Sequence, residues 1–452
     1  MEDDTDRTLS DIHESSPMLV KQIMDIQRHI ASREESEVWA ERLRFVDISG
    51  VITEAGSHGR KRRRSTRNDE YHPFDNHSVR VLPLTDRLPV NRNPYVAISW
   101  RWNSDLPLGQ GAPRHRYWIQ RLKEQPRHSK VPDICFDRAI RFAQAHGIHL
   151  IWIEKECIYQ ENEEDQAAGI QGMDLVYRDC KLSLGLLQVE LQSQQQLKAL
   201  SDLLSLKIID ETSKEPRFKS WVPQWLISRI LDVLRLIISD ERWERTWIFQ
   251  EDHCASSNML LLVRHASSLD KDYKRFGDLP GELQIRCPKF RKAATKFHMA
   301  GDAAKQPYSH DLFSKVRQYN TWNQGHGLGR DPGPGNRQLN RVSTDSAELP
   351  HLAASSLSIL RDMKARNNHV VVDRLAIFAN CCQYLTRLNI TNLTRAGYGL
   401  STCLLCLYLL NGAILGTIMK TRSSHPSQDS KDILNFSICE FLEILPCIRP
   451  TL

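Results

Sequence analysis

The chain has 452 residues, 40% of them hydrophobic, enough to fill two or three domain cores. Its 61 basic and 55 acidic side chains leave a net charge of only +6, with the signs mixed, which gives no footing for nucleic-acid binding. Eleven scattered cysteines and the acidic start Met1-Glu2-Asp3-Asp4 point to free thiols in a reducing interior, not to a secretory or mitochondrial leader.

Residues 1–16 are polar. A helical pattern follows from Pro17 to Ser32, with Val20, Ile23, Ile26 and Ile30 on one face. Glu37–Leu43 extends it, and Phe45–Ile52 reads as a strand. The basic run Gly59-Arg60-Lys61-Arg62-Arg63-Arg64-Ser65 fits a nuclear-import signal or an anion-binding loop, and equally a solvated insertion.

Tyr95-Val96-Ala97-Ile98-Ser99-Trp100 is strand-like, and a polar insertion follows over 104–126. Asp133 is placed to cap a helix carrying Phe136, Ala139, Ile140 and Ala143, with Gly147 to stop it. The stretch His149–Ile153 is apolar and then turns abruptly charged at Glu154-Lys155-Glu156. A buried central strand that ends in a functional loop has this form. Asn162 is a second N-cap, opening a helix with Ala167, Ile170, Met173, Val176 and Tyr177 as its stripe; the acidic run Glu161–Asp165 suits that helix N-terminus. Leu182–Leu187 is a third strand. Strand, helix, strand, helix, strand implies right-handed crossovers and an α/β fold, a parallel sheet covered by helices.

Gln188–Gln196 is expected to run into a helix through Ile209. Pro223–Ile238 is an amphipathic helix, Met259–Val263 a further strand, and 265–320 a set of short helices. Gly325-His326-Gly327-Leu328-Gly329 has no strand before it and no apolar helix after it, so it is a linker, not a phosphate loop. A helix with Leu375, Phe378, Ala379 and Cys382 on one side follows. The uncharged run Leu400–Met419 meets the length of a membrane span, but Asn411-Gly412 and Gly416 interrupt it; a buried helical hairpin is the alternative.

Three clusters bring tryptophans beside carboxylates or other polar groups at element ends: Ser99–Ser104, Trp152–Gln160 and Trp243–Glu251. Such residues shape a pocket, or anchor a core while their charges face water. No metal site is expected. Cys403 and Cys406 lack a second pair, Cys381 and Cys382 are adjacent, and His146 and His149 span a helix stop and a strand start. Cys157 is a small apolar filler more than a partner for His149.

In order and spacing the clusters resemble the fungal heterokaryon incompatibility (HET) domain. That family carries Tyr-x-Ala-aliphatic-Ser-aromatic-x-Trp-Gly, seen here as Tyr95, Ala97, Ile98, Ser99, Trp100 and Trp102. It carries Trp-Ile-Asp-x-x-Cys-Ile-x-Gln, of which Trp152, Ile153, Cys157, Ile158 and Gln160 stand here. It also carries a Trp before Arg-x-Trp-x-x-Gln-Glu, here Trp243, Arg245, Trp247, Gln250 and Glu251. The departures are Asn103 for the Gly, Glu154 for the Asp, and Tyr159 for an Asp common before Gln160. The resemblance implies a flavodoxin/TIR-like sheet, and a role in self/non-self recognition and programmed cell death in fungi, acting through protein partners or self-association.

HET domains are similar to TIR domains, some of which hydrolyse NAD. That implies a second reading: no bound cofactor, NAD as substrate, and Glu251 as the catalytic carboxylate, with Glu154 beside it. Glu251 would hold a ribose hydroxyl and stabilise an oxocarbenium-like transition state. A third reading is an inactive copy, raised by the three departures. The expected division is an N-terminal helical and irregular extension over 1–85, a HET domain over 86–265, an irregular region and linker over 266–350, and a helical region over 351–452. The expected location is intracellular and cytoplasmic, or nuclear if the 60–64 run is an import signal.

Overall fold

The structure, a computed structural model, describes residues 1–13, 16–51, 80–86, 94–101, 116–210, 216–304, 313–316, 359–368, 370–412 and 437–438. The basic run at 60–64, Trp102 and Asn103, the glycine-rich segment at 325–329, and the 413–419 part of the candidate span lie outside these residues. The chain divides into two compact units. One holds Met1–Ser36, Ile170–Asp174 and Tyr319–Leu452; the other holds Glu37–Gly169 and Leu175–Gln318.

The larger unit is built on one nine-stranded sheet. In chain order its strands are β1 (Arg44–Asp47), β2 (Arg80–Asp86), β3 (Tyr95–Ser99), β4 (Tyr117–Gln120), β5 (Arg127–His128), β6 (Leu150–Ile153), β7 (Leu182–Leu191), β8 (Met259–His265) and β9 (Glu282–Arg286). In space they run β9-β8-β7-β3-β6-β1-β2-β4-β5. The expected parallel sheet is present as its centre. β8, β7, β3 and β6 are mutually parallel, and β3 and β6 are buried at every residue. The whole sheet is mixed, because antiparallel neighbours flank that centre. Three of the flanking strands come from stretches read as extension, insertion or short helices. Arg80–Asp86 precedes the expected domain, Tyr117–Gln120 lies inside the polar insertion, and Glu282–Arg286 falls where only short helices were expected.

The helices follow their local chemistry. α1 (Asp133–Ala145) starts one residue earlier than a cap at Asp133 implies: Pro132 is the N-cap, and the Asp133 carboxylate instead accepts from the Arg116 backbone N–H at 3.1 Å. Gly147 ends it at φ 67°, a left-handed conformation that glycine adopts without a Cβ penalty. α2 is a single turn, Glu154–Cys157, at the end of β6. α3 (Glu163–Asp179) is capped by Asn162, whose side chain accepts from the N–H groups of Glu164 and Asp165. Asp165 does more than favour the helix dipole. Its carboxylate accepts from Trp39 Nε1 (3.0 Å), Arg44 (2.5 Å) and the Tyr159 N–H (2.7 Å), pinning the start of α3 to β1.

β7 runs on to Leu191, where Glu190 and Leu191 pair with Arg264 and His265 of β8. Strand pairing thus overrides the helical leaning of the glutamines. α4 (Gln194–Leu204) begins only after the Ser193 capping box with Gln196. α5 (Gln224–Ile238) buries Ile227, Ile230, Val233, Leu234 and Ile237, with Pro223 as N-cap. α6 (Thr246–Ala255) and the 17-residue α7 (Cys287–Ala303) complete the set used below. Arg138 of α1 is buried against Glu282 of β9 (2.6 and 2.9 Å), and also donates to the carbonyls of Leu187 and Leu262.

The smaller unit contains helices Ser16–Ile26, Asp373–Cys381 and Leu400–Leu410, and the antiparallel pair Ile30–Ser32 with Thr386–Leu388. Leu400–Leu410 has 11 residues, and no helix among the described residues is long and apolar enough to cross a membrane. The nine cysteines among the described residues are all free and buried.

Candidate functional site

β3 is the branching point of the parallel strands. The chain leaves it for β6 on one side, then crosses back to β7 on the other. In open α/β sheets the crevice beyond the strand ends at such a point takes ligands. Register fixes what stands there. Ala97 pairs with Trp152 and with Ser183, and Ser99 with Gly185. Because alternate strand residues share a face, Ser99, Trp152 and Gly185 lie on one face.

Arg242 fills the space above Gly185. A Cβ added at Gly185 would meet its Nη2 at 2.8 Å and Leu261 at 2.9 Å, so the close approach requires glycine. That fully buried guanidinium donates to Ser99 Oγ (2.8 Å) and to both oxygens of Asp252 (2.6 and 3.2 Å). Arg291 of α7 donates to Asp252 as well, at 2.9 Å. Burial alone would raise the Asp252 pKa, but the two guanidiniums outweigh it and hold the group below the ordinary carboxylate range. Asp252 is therefore an anion fixed by two cations.

Glu251, the residue before it on α6, is in the opposite condition. It is 5% exposed, and its Oε2 has no hydrogen-bond partner among the described residues. Burial pushes its pKa up; the Ser99 hydroxyl and the charges of Arg242 and Arg245 pull the other way without cancelling the rise. Two adjacent carboxylates with protonation driven apart are the mark of a site where one carboxyl is kept able to exchange a proton. The motif tryptophan Trp247 is half-buried one turn before Glu251 on the same helix, and Gln250 is buried beside it.

Tyr177 of α3 joins Glu251 to Glu154. Its ring packs edge-on against Trp152 at 5.9 Å, and its hydroxyl donates to the Ile98 carbonyl at 3.1 Å. Burial raises its pKa well above the ordinary value, and the charges of Glu251 and then Glu154 add to the rise. Both carboxylates thus act on one phenol. Trp152 is fully buried, and its Nε1, like Glu251 Oε2, has no hydrogen-bond partner among the described residues. Glu154, half-buried at the first position of α2, accepts at its carbonyl from the Ile158 N–H (3.0 Å) and Gln160 Nε2 (3.4 Å). Gln160 thereby holds the turn that carries Glu154.

The remaining motif residues stand elsewhere. Trp100, one residue past the end of β3, is buried, with Lys155 Nζ 5.6 Å from its ring centroid. Tyr95 donates to the Val176 carbonyl at 2.6 Å and packs on Phe45, at the far end of β3. Trp243 donates to the Ile237 carbonyl at 2.9 Å and stacks on Phe290, so it anchors the core. Cys157 is tucked under its own turn, accepting from the Ile153 N–H at 3.4 Å, and burial pushes its thiol up to about 12, where it is no nucleophile. Tyr159 lies between the guanidiniums of Arg44 (3.8 Å) and Arg121 (4.1 Å). The carboxylate that binds Arg44 is that of Asp165.

Four residues central to this arrangement went unmarked in the sequence: Tyr177, Arg242, Asp252 and Arg291. Tyr177 read as part of an apolar helix stripe, and charged residues default to the surface. The one local signal was the Glu251-Asp252 pair inside an otherwise apolar helix. Among the described residues no group of three or more His, Cys, Asp or Glu is placed to hold a metal ion.

Most of this arrangement, though not Asp252 and Arg291, lies within a span that matches a family model. Residues 95–251 match the family model described as Heterokaryon incompatibility protein (HET), which supports a heterokaryon incompatibility-type domain in this chain. No curated protein and no solved structure matches it.

Proposed function

We propose that this protein is a heterokaryon incompatibility-type signalling module, which acts in fungal self/non-self recognition and triggers cell death when partners or further copies bring its domains together inside the cell. The observation that carries this reading is the family match, whose limits, 95 and 251, enclose Ser99, Trp152, Glu154, Tyr177, Arg242 and Glu251. The sheet supports the TIR-like part of it. Counted along the chain, the parallel strands stand in the order 2-1-3-4 (β6, β3, β7, β8), as in the flavodoxin-like plan. Induced expression in a filamentous fungus tests the proposal. Loss of viability is expected, and unimpaired growth at high protein level removes it.

A second reading, NAD cleavage, is favoured by one observation: a buried carboxyl with a raised pKa beside Tyr177 and Trp152, at the strand ends next to the branching point. In that chemistry the bond between the ribose and nicotinamide breaks, and nicotinamide leaves with the electron pair. Water then adds to the ribose carbon and gives up a proton. Glu251 would steady the developing positive charge and receive that proton. Purified protein, held as an oligomer, is expected to release nicotinamide from NAD, and Glu251→Gln to abolish the release. A wild-type oligomer that releases none leaves the signalling reading standing alone.

A further inference from the structure

We propose that the surface formed by residues 217–229 binds a negatively charged lipid surface. Arg217–Phe218 pairs with Ile209–Asp210 as a short antiparallel ribbon, the chain turns through Val222 N–H to the Lys219 carbonyl (3.0 Å), and α5 begins after Pro223. The buried stripe of α5, Ile227, Ile230, Val233 and Leu234, faces the core. Two tryptophans do not. Trp221 is 60% exposed and Trp225 56% exposed, although an indole ring in water is costly and surface patches of large apolar groups mark contact sites.

Asp210 stands opposite Arg217 in the ribbon, but the segment that carries the two indoles is itself basic. From Pro216 to Leu231 the chain carries Arg217, Lys219 and Arg229 and no acidic residue. The Arg229 guanidinium lies 4.8 Å from the Trp225 ring centroid. The next carboxylate along the helix, Asp232, is already paired with Arg235 at 3.7 Å. A peptide groove needs a continuous apolar strip between walls. Here the large exposed hydrophobic residues between 216 and 231 are the two indoles, interleaved with cations. Indoles settle at the boundary between headgroups and hydrocarbon, and cations are drawn to anionic headgroups, so this composition fits a peripheral lipid contact.

Co-sedimentation of the full chain with phosphatidylcholine vesicles, with and without phosphatidylserine, tests the proposal. Binding is expected only with phosphatidylserine, to fall as salt is added, and to shift tryptophan emission to the blue. The triple change Arg217→Gln, Lys219→Gln and Arg229→Gln is expected to weaken binding on the order of 100-fold, since each near-surface cation is worth roughly fivefold. Trp221→Ser with Trp225→Ser is expected to weaken it too and to remove the blue shift, with an unchanged far-ultraviolet circular dichroism spectrum. Absence of vesicle binding, indifference to phosphatidylserine, or undiminished binding by both variants overturns the proposal. Salt-sensitive binding to an acidic protein with none to vesicles overturns it in favour of a protein partner.

Discussion

Two buried arginine–carboxylate pairs hold the same sheet, and they differ in what they leave over. Arg138 and Glu282 close on each other, and the spare donors of Arg138 go to the carbonyls of Leu187 and Leu262. Lys271 donates to the Glu282 carbonyl at 2.9 Å. Arg242 and Asp252 also meet through two hydrogen bonds, yet Arg242 Nε, Glu251 Oε2 and Trp152 Nε1 are buried with no partner among the described residues. A completed pair is architecture. A pair with unmatched polar atoms in it and near it carries an unrepaid cost, because burying an unmatched polar group costs about 1–3 kcal/mol, and such atoms mark a place to look for function.

The largest expected effects treat the two pairs alike. Asp252→Ala and Glu282→Ala each strand a buried guanidinium, and each is expected to cost about 3–5 kcal/mol in urea denaturation. If Asp252→Ala cost little, Arg242 would be reaching solvent or another partner, and the contrast would collapse. Gly185→Ala comes next. It forces the Arg242 guanidinium off the strand, at about 1–3 kcal/mol, and the same change made on an open surface glycine serves as the control. Ser99→Ala removes one acceptor of Arg242 and is expected to cost about 1 kcal/mol, while raising the Glu251 pKa further by removing the hydroxyl that lowers it.

Glu251→Gln has the smallest expected effect on stability and the sharpest. The folded state raises the Glu251 pKa, so this group favours folding most below the ordinary glutamate value of about 4.3, and loses that contribution as pH rises through the folded value. At neutral pH the glutamine variant is therefore expected to be at least as stable as the wild type, with its advantage vanishing in acid. Asp252 titrates the other way: its lowered pKa contributes stability above the ordinary aspartate value, lost as pH falls through the folded value. Thermal melts of the wild type and Glu251→Gln across pH separate the two. A glutamine variant as damaged at neutral pH as Asp252→Ala would make Glu251 one more structural anion.

Much of this arrangement was legible because its signals are local. The apolar runs at 95–99, 150–153 and 182–187, the cap at Asn162 and the stop at Gly147 each depend on a few neighbouring residues, and each is found in the structure. Of the flanking strands only β1 was legible, from the run beginning at Phe45. Glu282–Arg286 alternates over only five residues, and its place is set by pairing with β8, more than 15 residues away in sequence. The same limit hid the site. Trp152 and Glu251 were marked by residue type, but Tyr177 becomes their neighbour only when α3 crosses back over β3. Arg242 is recognisable as buried only once Gly185 is seen to make room for it.

The nine sequestered sulfurs give the molecule a means of reporting its own opening. Burial pushes the thiols of Cys135 and Cys287, like that of Cys157, up to about 12, so a thiol-specific dye finds no thiolate at these three while the chain is folded. Cys135 sits on α1, Cys157 on the single turn that presents Glu154, and Cys287 at the start of α7. The order in which they take up label under mild denaturant would show which part of the sheet gives way first.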